Sequence, residues 1–309
     1  MKYLPYQIIV LAMLILISSC EQVVDIEMPE ASEKIVIEGF VENGLPPYVY
    51  VTRNSSYFAA VNQGSLQRML VTGATVIVTD GSVIDTLKPA VDFNVFPFLY
   101  YLSTKIIGEA GKTYDLKVIA GTDTVIARTT VPKPIAIDSL VFDPNKQYAD
   151  TLGYVKFYLQ DPPELGNFYR TFTKTLGLDS LFMHPFASVL DDKLVNGQYI
   201  EYPVYRGFNN SLATSSGGGT PDDDEGGAPG PNLSFLFGIG DTVVVKISTM
   251  DAAHYKFWYT IQQQMMSGGN PFAAPTTPYT NIKGGLGIWG GYGASFDTII
   301  IKPKVKVSK

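Results

Sequence analysis

The chain has 309 residues with a formal net charge of −6, and its single cysteine is Cys20. Such an acidic chain lacks the positive footprint of a nucleic-acid binder, and one thiol excludes an internal disulfide. With 20 Pro, 29 Gly, 19 Tyr and 17 Phe, it reads as a strand-and-turn globular protein with core enough for two ordinary domains.

The N-terminus sets location. Lys2 is followed by a 10-residue apolar run, Ile8 to Ile17, and by Ser18-Ser19-Cys20. About 20 apolar residues are needed to span a bilayer core, so this run is too short, and Glu21, Asp25 and Glu27 follow at once. The layout predicts a lipoprotein signal peptide over 1–19, with Cys20 taking a thioether-linked diacylglycerol and a third acyl chain on its freed amine. The rival reading is an unmodified cysteine in an ordinary signal peptide. Residues 20–33 are the lipidated cysteine and an acidic tether without a basic residue until Lys34.

From Lys34 the apolar period becomes two. Lys34–Val41, Pro47–Arg53, Leu70–Thr79, Phe98–Thr104, Thr113–Ile119 and Thr124–Val131 predict strands separated by Asn43-Gly44, Asp80-Gly81 and Gly121 turns. They predict an Ig-like β-sandwich over 34–131, with Asn54–Arg68 as a surface excursion. Ile37-Glu38-Gly39-Phe40-Val41, Gly73–Val78 and Gly111–Val118 resemble the prealbumin-like sandwich of carboxypeptidase-regulatory-like domains. Val131-Pro132-Lys133-Pro134 predicts a linker at 132–136, since two prolines cannot continue a ladder.

A second β-rich domain is expected over 137–309. Gly153–Gln160, Phe168–Leu176, Gly197–Tyr205, Asp241–Thr249 and Phe296–Lys302 alternate like strands, and 207–232 reads as a flexible loop. Asp251 predicts the N-cap of one helix over about 252–267, with His254, Trp258, Ile261 and Met265 as its buried stripe. Gly268-Gly269 and Pro271 end it.

Asp251…His254-Tyr255-Lys256-Phe257-Trp258, Gly268-Gly269-Asn270-Pro271-Phe272 and Asn281–Trp289 strongly resemble a Bacteroidota lipoprotein family labelled domain of unknown function 4249. The resemblance implies an outer-membrane lipoprotein, on the cell-surface or periplasmic face, often encoded beside a TonB-dependent transporter. It implies no catalytic residues.

Gly285-Leu286-Gly287-Ile288-Trp289-Gly290 matches a dinucleotide fingerprint only formally, since no helix pattern follows; a glycine-rich bend with close backbone approach is the better reading. His184 and His254 are 70 residues apart, too little for zinc, and His254 reads as a core or helix-start histidine. Asp222, Asp223, Asp224 and Glu225 are weak calcium candidates set against a solvated charge run, and Asp191-Asp192 is similar. Tyr57 and Phe58 are candidate interaction residues; Phe98–Tyr101 reads more naturally as core than as a stacking platform. The expected function is a non-catalytic binding or accessory module without cofactor, held at the membrane by its anchor. Envelope hydrolysis of glycans or peptides and an adhesive structural role are the alternatives.

Overall fold

Strict alternation builds the central strands. In β1 (Ile35–Glu42), Ile35, Ile37 and Val41 are buried on one face, leaving Val36, Glu38, Phe40 and Glu42 on the other. The computed structural model describes residues 32–55, 62–93, 95, 97–148, 150–185, 187–207, 233–267 and 277–303. In chain order come β2 (Tyr48–Arg53), α1 (Gln63–Met69), β3 (Thr75–Thr79), β4 (Ile84–Thr86), β5 (Lys88–Val91), β6 (Leu99–Leu102), β7 (Thr113–Ala120) and β8 (Asp123–Thr130). They are followed by β9 (Ser139–Pro144), β10 (Leu152–Gln160), β11 (Phe168–Thr175), β12 (Val189–Asp191), β13 (Tyr199–Val204), β14 (Phe237–Gly238), β15 (Thr242–Met250), α2 (Ala252–Ser267) and β16 (Leu286–Ile300). Among the described residues the protein is mainly β, with several sheets and no closed barrel, consistent with a β-sandwich.

The frame is an eight-stranded sheet ordered β12-β11-β15-β16-β1-β2-β6-β5. β1 pairs antiparallel with β2 and parallel with β16, placing Ile37 between Val51 and Gly287. Parallel neighbours need a crossover, and here nearly the whole chain supplies it. Strands from both sides of 132–136 therefore share one sheet, and residues 33–309 form one compact unit. This differs from two domains in series. Val131 is fully buried, and the Lys133 carbonyl accepts the Thr249 hydroxyl at 2.9 Å, so this proline segment packs along the sheet rather than bridging free space.

Two small sheets cover one face of the frame. The sheet β4-β3-β7-β8 packs Val76, Val78, Leu116 and Val118 against Ile35, Ile37, Val49 and Val51, with Trp289 at the centre. The Trp289 indole N–H donates to the Tyr114 carbonyl at 3.0 Å, satisfying its one polar atom. The second sheet, β13-β10-β14 with β9 beside β10, packs Val155, Phe157 and Leu159 against Val243, Val245 and Ile247.

The glycine-rich stretch is a strand, not a bend. β16 runs unbroken from Leu286 to Ile300, first beside β1 and then beside β15. Close approach is the reason for its glycines. At Gly287 φ is +97°, and a Cβ would lie 1.9 Å from the Ile37 carbonyl oxygen. Part of the 54–68 excursion is helical: Asn62 and Ser65 cap α1 reciprocally, each side chain accepting the other's backbone N–H at 2.9 Å.

Candidate functional site

The opposite face of the large sheet carries α2 and an aromatic ladder. Phe40 and Tyr48 are cross-strand partners, as are Glu38 and Tyr50, so all four side chains rise from one face. Ring centroids follow at 5.6 Å for Tyr100–Tyr50, 5.9 Å for Tyr50–Tyr48 and 5.7 Å for Tyr48–Phe40. The row continues from Phe40 to Tyr292 at 5.4 Å and from Tyr292 to Phe172 at 5.8 Å.

α2 sits over one end of this row. Asp251 is its cap, the carboxylate accepting the His254 N–H at 2.8 Å and the Thr129 hydroxyl at 2.8 Å. His254 lies flat on Gly290, where any Cβ would stand 2.4 Å from the imidazole. Imidazole Nδ1 must donate to the Gly291 carbonyl at 3.2 Å, because a carbonyl only accepts. Nε2 is then free to accept the Trp258 indole N–H at 3.0 Å. The ring is thus neutral and satisfied, and burial together with the nearby Arg170 charge pushes its pKa down to about 3. His254 and Phe257 are buried, with Trp258 and Ile261 partly buried against the same cluster, whereas Met265 is 49% exposed, contrary to expectation.

Four charged groups flank the ladder. Arg170, 3% exposed, lies with its guanidinium carbon 3.5 Å from the Trp258 ring centroid and donates to the Tyr292 hydroxyl at 2.8 Å; its Nε has no partner. Lys246 and Glu42 form a buried ion pair, with burial pulling the ammonium pKa down and Glu42 opposing it. Glu38 differs. Solvent reaches its side chain, yet the surrounding protein crowds it enough that desolvation raises its pKa, with Arg170 the opposing influence. Burial, Glu38, Tyr100 and Asp92 together push the Tyr50 phenol up to about 12. An accessible carboxylate beside phenol faces can take up cations, hydroxyls or protons.

Other carboxylates hold loops. Asp85 accepts the Ser103 hydroxyl and the Thr104 and Lys105 N–H groups at 2.7–2.9 Å. Asp192, 1% exposed, accepts the Gly166 and Asn167 N–H groups, so Asp191-Asp192 is not the exposed turn expected of it. Asp191 receives the Tyr255 hydroxyl at 3.0 Å and pairs with Lys193 at 3.0 Å. Among the described residues no cluster of three or more His, Cys, Asp or Glu could hold a metal. A groove of about 860 Å³ on the smaller sheet is lined by Ile77, Ile84 and Ile126, and by Asp115 and Arg128, which already pair at 2.6 Å.

Cys20, Tyr57, Phe58 and the Asp222, Asp223, Asp224, Glu225 run lie outside the described residues. Tyr101 is core, as expected of Phe98–Tyr101, but Tyr100 points to the opposite, ladder face. His184 lies 6.5 Å from the Trp258 ring, and burial with Arg170 lowers its pKa to about 4. Sequence reasoning missed Glu38, Tyr48, Tyr50 and Arg170 as a group. The available signal was charge or phenol at alternate positions of strands otherwise rich in Val and Ile.

Fold and site together define a sandwich-like β protein with one aromatic, charge-flanked sheet face. A family model described as domain of unknown function (DUF4249) matches residues 21–296, and the chain belongs to that family. No curated protein matches it. Among solved structures it is similar to a Salmonella alpha-2-macroglobulin mutant at 12% identity and a TM-score of 0.21, covering 73% of this chain and 14% of that one. No described helix is long and apolar enough to cross a membrane.

Proposed function

We propose that this chain is a lipid-anchored cell-envelope protein acting as a non-catalytic binding or accessory module beside a TonB-dependent outer-membrane transporter. The observation that carries the binding role is the aromatic face, on which a solvent-accessible carboxylate, Glu38, stands directly opposite Tyr50 in a row of phenol rings. Aromatic groups partly open to water are the usual anchors of recognition surfaces. The location rests on the Ser18-Ser19-Cys20 pattern, and the transporter on the family resemblance. Buried carboxylates committed to backbone N–H groups suit a rigid scaffold better than acid–base work. Confinement to a membrane raises effective concentration, so a modest interface suffices, and loops 54–68 and 207–232 add contacts in this reading.

The test is co-purification of the full-length protein from native membranes. Wild type should recover a transporter, and Tyr50→Ala/Tyr100→Ala should recover at most about a tenth as much, because truncating two aromatic anchors removes at least ~1.4 kcal/mol. Equal recovery by both forms, or no transporter from either, rejects the proposal.

A further inference from the structure

Resting on the reading of the aromatic face as a binding surface, we propose that Glu38, Tyr48, Tyr50 and Tyr100 form a box for an organic ammonium group. The rings are not stacked flat. Tyr48 and Tyr50 meet edge to face at 84° and Tyr50 and Tyr100 are tilted at 48°, with centroids under 6 Å apart, so the row presents rings at differing angles rather than one flat stack. Glu38 stands directly opposite Tyr50 on the neighbouring strand and opens to solvent. None of the described residues gives it an ion pair, and Arg170, whose charge acts on it, is not within ion-pair distance.

That combination suits a cation. Tyrosine faces attract an ammonium by their quadrupole, more strongly as water is removed, and a carboxylate supplies the counter-charge. Desolvation already disfavours the bare Glu38 carboxylate, and a bound ammonium relieves this as a proton would. Arg170 subtracts from the local negative potential, but its guanidinium is buried against Trp258 and Phe172, while Asp92 contributes negative charge beside Tyr50. An anionic ligand would meet Glu38 first and be repelled.

The experiment uses the full-length protein in neutral detergent at low ionic strength, read by calorimetry. Choline, N-acetyl-lysine methylamide and 3,3-dimethylbutanol, an uncharged isostere of choline, are the probes. An ammonium probe should saturate at least about tenfold more tightly than the alcohol, a ratio within the cation–π range. Glu38→Gln, with an unchanged melt, should reduce that ratio to near one, and Tyr50→Ala should weaken the ammonium probe about tenfold. Tighter choline marks a quaternary ligand and tighter lysine derivative a lysyl side chain; either supports the box. Equal binding of ammonium probes and alcohol, no saturation by either ammonium probe, or a Glu38→Gln protein that binds as wild type overturns it. If these fail while Tyr50→Ala/Tyr100→Ala still abolishes transporter recovery, the ammonium inference alone falls.

Discussion

Replacing Gly290 with alanine tests how the helix is seated on the ladder. The added methyl would sit 2.4 Å from His254 Cε1 and 2.5 Å from both ring nitrogens, far inside contact distance. The imidazole must lift by about 1 Å to reach ordinary contact. Lifting it breaks the bonds from Nδ1 to the Gly291 carbonyl and from the Trp258 indole to Nε2. Overpacking costs about 1–3 kcal/mol and each buried hydrogen bond about 1, so Gly290→Ala should destabilise by about 3–5 kcal/mol. Gly73→Ala is the control: no atom lies within 4 Å of its Cβ, and the change should stay within about 1 kcal/mol. In a His254→Ala background the methyl has room, and Gly290→Ala should then cost under about 1 kcal/mol. Urea unfolding of the full-length protein in detergent reads all four forms. A Gly290→Ala midpoint equal to the Gly73→Ala midpoint would refute the packing described.

Three further outcomes follow from buried charge and from the N-terminus. The pKa values of His254 and His184, near 3 and 4 when folded, rise to about 6.5 on unfolding, so the unfolded chain binds more protons in that window; stability is full above pH 6.5 and falls toward pH 3. Glu38, raised in the fold, opposes this with one group, and the urea midpoint should still drop between pH 7 and pH 5, less so in His254→Gln; a flat profile contradicts the assignment. Lys246→Met leaves Glu42 buried without its partner and should cost about 3–5 kcal/mol in thermal or urea melts, whereas Glu42→Leu/Lys246→Met should recover most of that. Cys20→Ala should abolish fatty-acid labelling and detergent partitioning of the processed protein, and unchanged label would remove the anchor from the account.

Legibility in the sequence tracked how each strand is covered. β2, β7 and β10 alternate buried with more open positions, as do the first halves of β1 and β15, so their period of two is visible in the sequence. The glycine-rich start of β16 reads as a bend, whereas its end from Phe296 reads as a strand, because Gly287, Gly290, Gly291 and Gly293 stand where a methyl would strike backbone or a side chain, and glycine leaves no periodic trace. β4, β12 and β14 have three residues or fewer, too short for alternation to register. Apart from Tyr292 in β16, the residues of the ladder lie in strands legible in the sequence, but the face they share is defined by the pairing of β1 with β16, 250 residues apart at Ile37 and Gly287, and no local pattern announces it. Met265 had the right spacing, and only the extent of the sheet beneath α2 shows where burial stops.

The measurement that bears most directly on the binding role is photocrosslinking in living cells from the ladder itself. A benzophenone amino acid replaces Tyr100 on the aromatic face or, as control, Lys117 on the smaller sheet. The account predicts a crosslinked outer-membrane transporter from position 100 and much less from position 117. Equal yields from both positions, or a transporter adduct from 117 alone, would contradict it.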